Sequence, residues 1–147
     1  MPAGSPERTN ARKEEIINAC EQLYQTRSFK EITIKEIGQI TSCSRTSIYN
    51  YFETKEEIFL ALLKREYDSW IEALNQITQR HDILSKEDIA DAIAHSLDQR
   101  HQLLKILSMN HYDLEENSRL ELLTEFKVSY GNALHAVMAL LGKFLPD

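Results

Sequence analysis

The stretch Ser44–Glu57, SRTSIYNYFETKEE, gathers side chains that can grip a polyanion and recognise a patterned surface. Arg45 carries a planar fork of donors that can bond both acceptors of a guanine edge, a contact that discriminates between bases by about 1–3 kcal/mol. Thr46 and Ser47 add hydroxyls in the same turn, within reach of bases or phosphates. Tyr49 and Tyr51 hold hydroxyls on rigid stems long enough to meet phosphates on groove walls, whereas Phe52 has no polar tip and is expected to face inward. The plainer alternatives are half-buried packing tyrosines and a solvated surface arginine. Lys55 stands in the first turn of the next helix, where backbone N–H groups and the helix dipole already favour a phosphate.

No rival chemistry of comparable strength stands elsewhere in the chain. The sequence has no glycine-rich nucleotide loop, no HExxH and no nucleophile elbow, so an enzyme is not expected. The five histidines share no tight ligand spacing, which argues against a metal site, and no cofactor is expected. Cys20 and Cys43 lack a CxxC arrangement, and Cys20 lies on an apolar helix face as a reduced core thiol would.

The elements that must position these residues are legible from caps and periodicity. Prolines occur only at 2, 6 and 146, leaving the interior free to be helical, and the expected fold class is all-α. Residues 1–8 look like an arm, and Ile16, Ile17, Cys20, Leu23 and Tyr24 mark an amphipathic helix from about Asn10 to Thr26. Phe29 and Ile32 lie in a short connection, able to plug a core. Thr33–Glu36 is a capping box opening a short helix to about Ile40, and after a turn Ser44 caps a second short helix through Tyr51. Thr54–Glu57 is a further capping box, opening a long helix with Ile58, Leu62, Leu63, Tyr67, Trp70, Leu74 and Ile77 on one face. Two short helices after a longer one form a helix-turn-helix unit. Ile37, Ile40 and Ile48 would share its small core, and Gly38 would let the helices cross closely.

Beyond a loop at 79–84, helices are expected from Ser85 to Leu97 and from about Gln102 to Met109. A polar link and a capping box at Ser118–Glu121 then lead to a last helix with Leu120, Leu123, Tyr130, Leu134, Val137 and Leu141 on one side. Gly131 in that helix permits a close helix contact or marks a bend. The implied division is residues 1–54, an arm and helix-turn-helix domain, and residues 55–147, a helical regulatory domain. The formal charge is −6, but unevenly spread: residues 1–55 carry 8 Lys/Arg against 7 Asp/Glu, and residues 56–147 carry 9 against 16. A near-neutral front half can present a basic face that the acidic rear half orients. No apolar run approaches a membrane span and the N-terminus has no signal-peptide pattern, so a soluble cytoplasmic protein is expected.

The run Ile32–Phe59, ITIKEIGQITSCSRTSIYNYFETKEEIF, resembles the DNA-binding domain of TetR/AcrR-type transcriptional regulators. It carries the T-x-x-x-I opening, the Y-x-Y-F of the recognition helix and the K-E-E that follows, and a looser resemblance extends to residue 145. The resemblance implies a homodimer that binds a palindromic operator in double-stranded DNA, acts as a repressor, and lets go when a small-molecule effector enters the regulatory domain. It places DNA contacts at Thr33, Lys35, Arg45, Thr46, Tyr49, Tyr51 and Lys55, and Ser44 and Ser47 complete the candidate set. Tyr67, Trp70, His95, Met109, Tyr112, Phe126 and Tyr130 are candidates for an effector pocket, with ordinary core as the alternative for each. Two departures from the family pattern stand out. Ser42 occupies a turn position where glycine is frequent, so a left-handed backbone is expected there. The chain also ends before the two helices that usually form most of the dimer's four-helix bundle. The alternative function is therefore an interaction module that pairs with or antagonises another regulator without binding an operator alone, unless these residues are one segment of a longer chain that carries the helices.

Overall fold

Helix boundaries follow local chemistry in the computed structural model, which describes residues 6–109 and 111–145. Among these residues all regular structure is helical: α1 (Pro6–Tyr24), a 3-10 turn at Phe29–Glu31, α2 (Ile34–Gln39), α3 (Arg45–Tyr49), α4 (Lys55–Arg80), α5 (Lys86–Asp98), α6 (His101–Leu107), α7 (His111–Glu116) and α8 (Leu120–Phe144). Helix α1 starts four residues before the expected point, which corrects the arm for residues 6–8. Proline fits the first helical position, where its missing N–H leaves no bond unmade, and Glu7 in the first turn suits the dipole. Residues 1–5 lie outside the described residues.

The chain forms two compact units, Met1–Leu62 with His111–Leu122, and Leu63–Asn110 with Leu123–Asp147. In the first, α2 packs against α1 and α3. Ile16, Cys20, Ile32, Ile37, Ile48, Phe52 and Phe59 are buried, and Tyr24 and Phe29 each meet Phe59 edge-on at 5.0 and 4.8 Å. The caps act as their residue types dictate: Thr33 Oγ1 accepts from the Glu36 N–H, Ser44 Oγ from the Ser47 N–H and Thr54 Oγ1 from the Glu57 N–H, each at 3.1 Å.

Three details of the helix-turn-helix differ from expectation. Ile40 is 46% exposed, because it is the cap residue at which the chain leaves α2 and its side chain leaves the buried stripe. Ser42 is not left-handed, since no non-glycine residue among those described has positive φ. Its backbone N–H and its hydroxyl both donate to the carboxylate of Glu15 on α1, which fixes the turn from outside. Gly38 does sit at the α2–α3 crossing, yet an added Cβ would lie 3.6 Å from Ile48 Cδ1 and 3.7 Å from the Cys43 carbonyl, ordinary contact distances. A methyl fits there, so the site does not demand glycine.

In the second unit Leu74, Ile89, Ala136, Leu140 and Phe144 form a buried cluster, with Trp70, Ile77, Ile93 and Val137 packed around it. The buried stripe of α8 is Phe126, Ser129, Ala133, Ala136, Leu140 and Phe144, rather than the expected set. Leu120, Tyr130 and Leu134 are exposed instead. The inward side combines small residues at 129, 133 and 136 with Phe126, Leu140 and Phe144, while Val137 and Leu141 of the expected set pack beside it, half-buried. Gly131 has nothing within 4 Å of an added Cβ, so within the described chain it serves no close contact. Helix α7 was expected as a polar link; it forms around one buried residue, Leu114. No helix among the described residues is long and apolar enough to cross a membrane.

Candidate nucleic-acid interface

Helices α2, α3 and α4 each contribute to one surface groove of about 430 Å³, lined by Ile32, Thr33, Ile34, Lys35, Arg45, Tyr49 and Lys55. Five of the nine candidate DNA contacts thus meet: a cap hydroxyl, a phenol and three cations, with no carboxylate among the described lining residues, although Glu36 bonds the Thr33 hydroxyl. The three cations would raise the local potential towards an anion well above what the net charge suggests. Ser44, Arg45 and Thr46 are exposed at the start of α3, and Tyr49 is 43% exposed, so the polar side of this helix stays open while Ile48 and Phe52 are buried.

Not every candidate is equally free to bind. The Thr33 hydroxyl donates to Glu36 at 3.2 Å while accepting from its backbone, so a phosphate would compete for its proton. Glu36 also pairs with Arg27. The Lys55 ammonium donates to the Phe29 carbonyl at 2.8 Å and lies 4.1 Å from the centre of its ring, and burial lowers its pKa. Two of its three N–H bonds remain for another acceptor. Ser47 is half-buried and its backbone N–H serves the Ser44 cap. Tyr51 is half-buried, and its carbonyl accepts from Arg119 Nη2 at 3.0 Å. Arg12 of α1 reaches the turn of the motif, its guanidinium donating to Cys43 Sγ at 3.8 Å.

Glu57 and Arg119 are the residues that sequence reasoning missed. Glu57 is 1% exposed, yet it stands at the third position of a capping box, where a solvated carboxylate is the ordinary expectation. Burial pushes its pKa up, and bonds from the Arg119 side chain, the Arg119 N–H and the Glu53 N–H outweigh that and hold it below the usual range. A carboxylate adjoining the apolar run from Ile58 was the only sign of a buried partner, and that partner lies 62 positions away.

The effector candidates divide. Tyr67 and Phe126 are buried and, with half-exposed Tyr130, form an aromatic trio with centroids 5.7–6.4 Å apart. The Trp70 indole N–H donates to Ser96 Oγ at 2.9 Å, His95 is exposed and bonds Gln99, and Met109 is half-buried. The Tyr112 side chain lies outside the described residues. A further open groove of about 440 Å³, lined by Asp68, Ile71, Asn75, Asn132, His135, Ala136 and Ala139, gave no signal in the sequence because its polar residues come from two distant segments.

Comparison with known proteins identifies both parts of the chain. Residues 16–62 match the family described as bacterial regulatory proteins, tetR family, and residues 64–147 match the family described as tetracyclin repressor-like, C-terminal domain. The chain is 34% identical over 62 residues to an uncharacterized HTH-type transcriptional regulator of Mycobacterium tuberculosis, covering 42% of this chain and 31% of that one. It is 30% identical over 60 residues to the HTH-type transcriptional regulator QacR of Staphylococcus aureus, covering 41% and 32%. Against the uncharacterized HTH-type transcriptional regulator YfiR of Bacillus subtilis it is 22% identical over 105 residues, covering 63% and 51%. The chain thus spans between about a third and a half of the length of these curated relatives.

Proposed function

Because this chain belongs to the TetR family of bacterial regulatory proteins, we propose that it is a sequence-specific DNA-binding regulator that represses transcription as a homodimer and is released by a small-molecule effector. The observation that carries this reading is the carboxylate-free groove in which Lys35, Arg45, Tyr49 and Lys55 converge. Lys35, Lys55 and the Tyr49 hydroxyl would hold backbone phosphates and set the register, while exposed Arg45, at the first turn of α3, would bond a base edge in the major groove. Thr46 and Ser44 are exposed beside it and supply secondary contacts.

Pairing of two copies is supported by the exposed row Tyr130, Leu134 and Met138 on α8, in a segment from Val128 to Gly142 that holds no Asp, Glu, Lys or Arg. A self-complementary contact favours such a face, since like charges would otherwise meet across the two-fold axis. Effector response is supported by the match of residues 64–147 to the tetracyclin repressor-like C-terminal domain; an apolar ligand would have to open the packed cluster of Tyr67, Phe126 and Tyr130, of which only Tyr130 is exposed. Selection of bound duplexes from a random pool, repeated with and without cell metabolites, tests all of this. A palindromic consensus that disappears with one metabolite fraction is the expected result. Recovery of no enriched sequence would contradict it.

A further inference from the structure

Arg119, in the linker between α7 and α8, reaches back to the end of the recognition helix. Its backbone N–H donates to Glu57 Oε2 at 2.7 Å, its Nε to the same oxygen at 3.0 Å and its Nη2 to Glu57 Oε1 at 3.1 Å. Nη2 also donates to the Tyr51 carbonyl at 3.0 Å. That carbonyl follows the last turn of α3, where helix acceptors have no partner within the helix. Glu57 Oε1 in turn accepts from the Glu53 N–H at 2.7 Å, and the Thr54 hydroxyl donates to the Asn117 carbonyl at 2.8 Å. Tyr51, Thr54 and Glu57 at the α3–α4 corner are therefore tied directly to the short segment Asn117–Arg119, and Glu53 through Glu57. Buried Ile48 and Phe52 anchor the inner side of the corner, and the ties to Arg119 hold its outer, polar side.

Surface arginines do not need this geometry. A charge held for solubility would be solvated and single-pronged, whereas here one guanidinium meets both oxygens of a carboxylate that is 1% exposed and a main-chain carbonyl besides. We propose that Arg119 is a positioning residue for DNA binding: it sets the angle at which α3 leaves α4, and so the angle at which Arg45 and Tyr49 meet the duplex. This inference rests on the DNA-binding reading above and adds a residue outside the helix-turn-helix to it.

The test compares the wild-type chain with Arg119→Lys by two measurements. Amide hydrogen exchange on the DNA-free proteins reports the corner itself, through the Tyr51 and Phe52 N–H groups that donate to the Ile48 carbonyl. Titration of a selected duplex reports binding. Lysine keeps the charge but has no planar fork, so Arg119→Lys is expected to remain helical by circular dichroism, with exchange at residues 51 and 52 accelerated at least tenfold and DNA affinity reduced about tenfold. Amides of α5 should keep their wild-type rates, which a general loss of stability would not allow. Unchanged affinity in Arg119→Lys, with or without faster exchange, would overturn the positioning role. A wild-type chain that binds no duplex would overturn the DNA-binding reading itself, and this control separates the two failures.

Discussion

At the scale of single residues the account divides the interface into groups that hold and a group that reads. Arg45→Ala should relax preference at one base position and cost about 1–3 kcal/mol on the best sequence, with little change on unrelated DNA. Lys35→Ala should instead weaken binding on all sequences alike and reduce the slope of log affinity against log salt by about one. Parallel titrations on selected and scrambled duplexes check both. Lys35 is the cleaner probe than Lys55, whose loss would also remove its bonds to Phe29. Glu57 sets a pH dependence whose sign follows from its lowered pKa. The unfolded carboxyl takes up a proton near 4.5 and the folded one only at lower pH, so the stabilisation is present above about 4.5 and is lost as pH falls through the folded value. Urea unfolding of Glu57→Gln should show a loss of about 2 kcal/mol near neutrality, typical of a bond to a charged group, and a flatter decline on acidification than the wild type.

Among the elements, those governed by neighbours in sequence were legible and those governed by distant partners were not. Thr33, Ser44, Thr54 and Ser85 announce helix starts because a cap depends only on a hydroxyl and the N–H three residues later, and all four make that bond. Ser118 was expected to do the same, but its hydroxyl donates back to the Leu114 carbonyl at 2.6 Å, and α8 starts at Leu120. The division of α3 into a buried and an exposed side was legible for the same reason: Ile48 and Phe52 are four apart and buried, and Arg45 and Tyr49 are four apart and exposed. The inward side of α8 was read only in part: Val137 and Leu141 pack against the core, but Leu120, Tyr130 and Leu134 are exposed, because an apolar helix segment without charges offers periodicity no polar face to set against the buried one. The Glu57–Arg119 tie was hidden by its span along the chain. Gly38 was assigned too strict a role. Since an alanine methyl there meets only ordinary contacts, Gly38→Ala should raise stability by roughly 0.5–1 kcal/mol through helix propensity. Thermal denaturation checks this, and a fall in midpoint would show that the α2–α3 crossing is tighter than described.

For the whole molecule, the charge distribution and the exposed row on α8 bear on how it works as a regulator. An acidic chain that presents Lys35, Arg45 and Lys55 on one groove should bind DNA through that face and steeply against salt. Sedimentation at micromolar concentration should give a dimer, and Leu134→Lys, which places like charges on the proposed two-fold face, should shift it to monomer. A wild-type monomer would favour the interaction-module alternative. The central claim, that the groove beside α3 recognises a particular DNA sequence, is tested most directly by one anisotropy titration at about 0.15 M salt. The selected duplex and a scrambled duplex of equal length would each be titrated with the wild-type chain. The account predicts that the selected duplex binds at least about a thousandfold more tightly, the lower end of the range for specific recognition. Equal affinity for both duplexes, or binding to neither, would contradict it.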